Sequence, residues 1–165
     1  MKFIYLSTLI STLTLSGCLA TYPVVKDIKS AAFIKFERNM IDPVLGSITR
    51  YTNIDNAHKC HEAYSDHKLL AVQNRGNPLV SDLNLDGLYV KSDKDFRILI
   101  NTVAGGASCD VIVRLDAQAG QKYKILTEGD VHIGINKCSA KLYTLSNDGS
   151  TYKPTKFKEY VECNK

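Results

Sequence analysis

The sequence predicts an all-β fold built from many short strands, a sandwich or a barrel, and three observations carry that reading. From about residue 31 onward, apolar and polar residues alternate in short runs, and no 3.6-residue period is sustained. Gly, Asn and Asp clusters punctuate the runs at short intervals. The 165 residues, 44% hydrophobic and 23% charged with ten Gly and four Pro, provide one domain's worth of core and exclude collagen-like, coiled-coil and wholly disordered chains.

In chain order, Met1 and Lys2 give a positive start, and Phe3 to Leu15 is apolar apart from Ser and Thr. This run is about two-thirds of the ~20 residues that a spanning helix needs, so it reads as an export signal. Leu15-Ser16-Gly17-Cys18 follows. Small residues before the cut site suit a peptidase groove, and Cys18 supplies a thiol for alkylation. The segment resembles the bacterial lipobox of lipoprotein signal peptides. The resemblance implies a diacylglycerol thioether on Cys18, cleavage after Gly17 and N-acylation, for instance with palmitate. Two or more chains anchor stably where one is marginal. Leu19 stands where Asp would favour inner-membrane retention, which implies the outer membrane, facing the periplasm, in a Gram-negative cell. The expected organisation is a signal peptide over 1–17, a lipidated tether over 18–30 and a single domain over 31–165. Taking 17 from 165 leaves 148 residues, and loss of Lys2 lowers the formal net charge from +4 to +3. That is too mild for nucleic acid, which calls for a dense basic patch.

Strands are expected at Ala32–Phe36, Ile48–Thr52, Lys68–Gln73, Leu88–Lys91 and Phe96–Val103. Cys109–Leu115, Lys122–Thr127, Val131–Ile135, Cys138–Leu145 and Phe157–Cys163 continue the series. Turn signals separate them at Arg75–Pro78, Asp86-Gly87, Ala104–Gly106, Glu128-Gly129-Asp130 and Asn147–Gly149. Residues 56–67 are compatible with one or two helical turns. Leu115, Gly120 and Tyr123 form a pattern that resembles the tyrosine corner of immunoglobulin and fibronectin type III domains. That resemblance implies an antiparallel β-sandwich in which Tyr123 returns its hydroxyl to the preceding backbone. The Pro that commonly precedes the Gly is missing, and the chain has no Trp. The order of lipobox, mid-chain Cys, Cys-bearing strand, Ala-Gly-x-x-Tyr and second Cys-bearing strand is similar to that of small bacterial envelope lipoproteins. It implies a location and a sandwich but no activity.

With Cys18 assigned to lipid, Cys60, Cys109, Cys138 and Cys163 remain, an even number in an exported chain. They read as two disulfides, with three connectivities open. The competing use is a metal site around His58, Cys60, His61, Asp66 and His67. No second half with ligand spacing accompanies it, and His132 stands alone in a strand-like run.

Motifs for chemistry are missing: no Gly-x-Ser-x-Gly, no phosphate-binding glycine loop and no His-Glu-x-x-His. Ala104–Ser108 is glycine-rich without a following Lys, and the loop carboxylates Asp82, Asp86, Asp93, Asp95, Asp116 and Asp130 suggest no particular acid–base pair. Asp82, Asn84 and Asp86 alternate like calcium ligands but lack a closing Glu. Lys153 to Cys163 alternates charge with apolar residues, as expected of an edge strand protected by lysines; the same lysines suit anionic head groups. Nine Tyr divide between core and a wet surface. The expectation is a non-catalytic, membrane-anchored envelope lipoprotein with no cofactor. Its partners are the bilayer, through Cys18, and an envelope protein. The alternatives are an inhibitor of a hydrolase such as lysozyme and a metal-binding protein using His58–His67.

Overall fold

Residue alternation becomes two packed sheets in the computed structural model, which describes residues 20–41, 46–54, 60, 67–132 and 134–163. The expected signal helix, Cys18 and most of the expected 56–67 helical turns lie outside these residues. The strands are β1 (Ala20–Thr21), β2 (Ala31–Ile41), β3 (Ser47–Ile54), β4 (His67–Arg75), β5 (Leu88–Lys91) and β6 (Asp93–Ala104). β7 (Ala107–Ala117), β8 (Lys122–His132), β9 (Ile135–Leu145), β10 (Tyr152–Thr155) and β11 (Glu159–Glu162) follow. Sheet A has the order β1-β4-β3-β6-β7-β11, and sheet B the order β10-β9-β8-β2-β5. The molecule is an all-β sandwich. Within it, β1 runs parallel to β4 and β2 parallel to β8, and the other paired strands are antiparallel.

Period-two patterning sets the core. Ile34 and Phe36 of β2, Ile98 and Ile100 of β6, Val111, Val113 and Leu115 of β7, and Ile125 of β8 are almost wholly buried between the sheets. Each such side chain contributes roughly 1.5–3 kcal/mol. A bulge opposite Tyr51/Thr52 lets consecutive Leu70 and Ala71 both reach this core. A smaller cluster of Ile54, Leu99 and Ile112 lies apart from it and packs with Val161 and the Cys60–Cys163 bridge.

The sheets also share a buried polar centre. The Tyr51 hydroxyl lies 3.0 Å from Thr127 Oγ1 and donates toward Gln73 Oε1 at 3.1 Å, while Gln73 Nε2 donates to the Phe36 carbonyl at 2.8 Å. Burial pushes the Tyr51 hydroxyl far above the usual phenol range, so it stays protonated and able to donate.

Several boundaries differ from the sequence expectation. Glu128-Gly129-Asp130 is strand interior: β8 continues to His132, and the expected Val131–Ile135 strand instead straddles the hairpin around Gly134. Gly129 has φ +153°, and a Cβ there would come 2.1 Å from the Lys137 carbonyl oxygen and 2.7 Å from Cys138 Cα. Glycine is required for close approach of two strands, not for a turn.

The expected strand Phe157–Cys163 is shorter, and a separate β10 precedes it. β10 is an edge strand of sheet B and carries Pro154, a position where a missing N–H is tolerated. β11 is an edge strand of sheet A, so the C-terminal segment crosses from one sheet to the other.

The expected tether is docked from Ala20 onward. Ala20 and Thr21 pair with Lys68 and Leu69, and Tyr22 N–H donates to the Leu69 carbonyl at 2.9 Å. The Tyr22 ring meets Phe96 edge-on with centroids 6.0 Å apart, and its hydroxyl accepts from Lys91 N–H at 3.2 Å. This segment therefore joins the β4 edge of sheet A to the β5 edge of sheet B. Asp27 then accepts from Lys29 N–H, capping a single 3₁₀ turn (Ile28–Ser30) that leads into β2.

Candidate functional site

Four of the five cysteines pair. Cys60 joins Cys163 with Cα atoms 5.5 Å apart, and Cys109 joins Cys138 at 6.0 Å. Of the three possible connectivities, this one ties sheet A to sheet B through the buried Cys109–Cys138 bridge. The second bridge fixes the β3–β4 connection to the end of β11. A sulfur bound in a disulfide is not a thiolate ligand, so Cys60 drops out of the alternative metal cluster at His58–His67. His67 opens β4 opposite Ile54, and His58, His61 and Asp66 lie outside the described residues. Among the described residues, no three His, Cys, Asp or Glu side chains gather as metal ligands.

Tyr123 sits where the chain passes from sheet A to sheet B. Its hydroxyl donates to the Asp116 carbonyl at 2.5 Å and accepts from Gln118 N–H at 3.2 Å. Burial pushes this hydroxyl above its ordinary value. Leu115 is buried just before the corner. Gly120 has φ +75°, and its N–H donates to the Ala31 carbonyl at 2.8 Å, fastening the corner to β2.

Of the carboxylates expected in loops, Asp93, Asp95, Asp116 and Asp130 lie instead in β6, β7 and β8, and each is engaged separately. Asp82 accepts from Asn74 N–H at 2.6 Å, and Asn84 Nδ2 donates to the Leu70 carbonyl at 2.6 Å, so both pin the loop between β4 and β5. Asp95 pairs with Arg114 at 3.1 Å, and Asp130 lies 2.5 Å from His132 Nδ1. Asp93 accepts from Asp95 N–H at 2.8 Å, and Asp116 lies 3.8 Å from Lys158 Nζ.

Two surfaces have binding character. On the outer face of sheet B, Lys124 Nζ lies 5.0 Å from the centroids of both the Tyr143 and Tyr152 rings and 3.2 Å from Glu37. Lys35 pairs with the same carboxylate at 3.0 Å. Burial opposes ionisation of Glu37, but hydrogen bonds from Lys35 and Lys124 outweigh it and hold the carboxyl below its usual range. Phe33 and Tyr89 stack edge-on beside this group at 5.2 Å. The nine Tyr of the sequence do not by themselves locate this face. The alternation Lys122-x-Lys124 and Lys141-x-Tyr143 was its signal, legible only once β8 is paired with β9 in register. The second surface is a cleft of about 480 Å³ at the N-terminal end, bordered by Tyr22, Val24, Val25, Lys68, Lys91 and Phe96.

No family model, no curated protein and no solved structure matches this chain.

Proposed function

We propose that the protein is a membrane-anchored envelope lipoprotein whose β-sandwich serves as a non-catalytic binding or assembly module. The observation that carries the reading is the division of the cysteines. Cys60, Cys109, Cys138 and Cys163 are consumed in two disulfides, which leaves Cys18, at the end of the lipobox-like Leu15-Ser16-Gly17-Cys18, for acylation. Two bridges suit an oxidising compartment outside the cytoplasm. The Lys–Tyr face of sheet B supports a binding role, because its charges and rings are held in place by one another while remaining at the surface.

The test is metabolic labelling with an alkyne fatty acid in a bacterial host, comparing the native chain with Cys18→Ser. The native chain is expected to take up label and to fractionate with membranes. The variant is expected to lose both properties. Label persisting in Cys18→Ser would overturn the assignment.

A further inference from the structure

The docking of Ala20 has a geometric consequence for an acylated Cys18. Two residues of extended chain reach at most about 7 Å. A lipid on Cys18 therefore holds the domain against the bilayer and leaves no slack for a stalk. Ala20 pairs with Lys68 at the start of β4, so the part of the domain nearest it is the end of the sandwich that carries the 22–30 segment and the β3–β4 and β5–β6 connections.

That end has the composition of an interfacial surface. Val24 is 90% exposed and Ile28 is 53% exposed, unusual values for large apolar residues so close in sequence. Around them Lys26, Lys29, Lys91 and Lys94 are exposed. The nearby carboxylates of Asp27 and Asp93 are engaged by the backbone N–H groups of Lys29 and Asp95. The cleft bordered by Lys68 and Lys91 belongs to the same end. Apolar tips surrounded by amines match the boundary between anionic head groups and acyl chains.

Resting on the lipoprotein reading, we propose that the domain sits end-on and directly on an anionic phospholipid surface. Val24 and Ile28 enter the head-group layer, and Lys26, Lys29 and Lys91 meet the phosphates. β2 runs away from this end for eleven residues, about 33 Å at 3.3 Å per residue. Its last residue, Ile41, 68% exposed, stands clear of the membrane.

The chain contains no Trp, so a single introduced indole reports its own environment. The acylated full-length protein is reconstituted as Val24→Trp or as Ile41→Trp. The vesicles contain phosphatidylglycerol and phosphatidylethanolamine, with bromine atoms high on the acyl chains. The expected result is blue-shifted, strongly quenched emission from position 24 and unquenched emission from position 41. Protein that stays with the vesicles but shows no quenching at 24, or equal quenching at both positions, overturns the end-on placement while leaving the anchor intact. Protein that carries no acyl mass on Cys18 overturns both readings, and mass spectrometry distinguishes that case.

Discussion

Replacing Thr127 by Val is expected to destabilise the native protein but to stabilise a Tyr51→Phe variant. The Thr127 hydroxyl is fully buried, and its hydrogen-bond partner is the Tyr51 hydroxyl 3.0 Å away. In Tyr51→Phe that hydroxyl is left without a partner in a dry interior, a cost of roughly 1–3 kcal/mol. Thr127→Val alone costs less, below about 1 kcal/mol, because Tyr51 can still donate to Gln73 Oε1 at 3.1 Å. In the double variant the orphaned hydroxyl becomes a methyl group of nearly the same shape, and most of the desolvation penalty disappears. The coupling is therefore at least about 1 kcal/mol, well above the few tenths expected of independent sites. Urea unfolding of the native protein, both single variants and the double variant measures it. With an m-value of about 1.5 kcal/mol/M, Tyr51→Phe should lower the midpoint by roughly 0.7–2 M, and adding Thr127→Val should recover part of that. If Thr127→Val costs the same in both backgrounds, the polar centre does not couple the two sheets.

Further expectations concern the bridges and one acidic turn. Loop-closure entropy assigns about 3.6 kcal/mol to Cys109–Cys138, whose cysteines are 29 residues apart, and about 4.7 kcal/mol to Cys60–Cys163, 103 apart. Non-reducing urea unfolding of C109A/C138A and C60A/C163A should show losses of several kcal/mol. A loss under about 1 kcal/mol for C60A/C163A would mean that its long loop is already restricted in the unfolded chain. At the β9–β10 turn, the Ser146 hydroxyl donates to the Asp148 carboxylate, followed by the N–H and hydroxyl of Ser150, and together they hold its pKa down to about 2. The folded turn favours the ionised form. Its advantage is therefore complete above the ordinary carboxylate range and is lost as pH falls through about 2. Side-chain carboxyl NMR should place the Asp148 midpoint there, and Ser146→Ala should raise it; an unchanged midpoint in Ser146→Ala would remove that hydroxyl from the explanation.

What was legible in the sequence was whatever a single strand decides for itself. Cys109 to Leu115 alternates Val111, Val113 and Leu115 toward the core because the pleat has a period of two. Tyr123 was legible through its spacing from Leu115 and Gly120. What was not legible depended on neighbours distant in sequence. Gly129 has the composition of a turn, yet the Lys137 carbonyl lying where its Cβ would be makes it strand interior. Pro154 falls within the expected Lys153–Cys163 edge strand, and β10 is an edge, but nothing local shows that β10 and β11 close different sheets. Ala20 and Tyr22 looked like free chain, since nothing local announces that β4 and β5 present edges for them to join. The outer face of sheet B was hidden for the same reason. Lys124, Tyr143 and Tyr152 belong to three strands and meet only through register.

The parallel pairing of β2 with β8 also governs when the chain can fold. Phe33 lies beside Lys122 and Phe36 beside Ile125, so each contact closes a loop of almost ninety residues. Contacts of such long range form slowly, because the closure entropy is spent before any burial compensates for it. A chain delivered N-terminus first exposes Ile34 and Phe36 long before β8 arrives to flank them. Sheet B stays incomplete until β8 has been synthesised, and in that interval β2 depends on whatever shields its apolar residues.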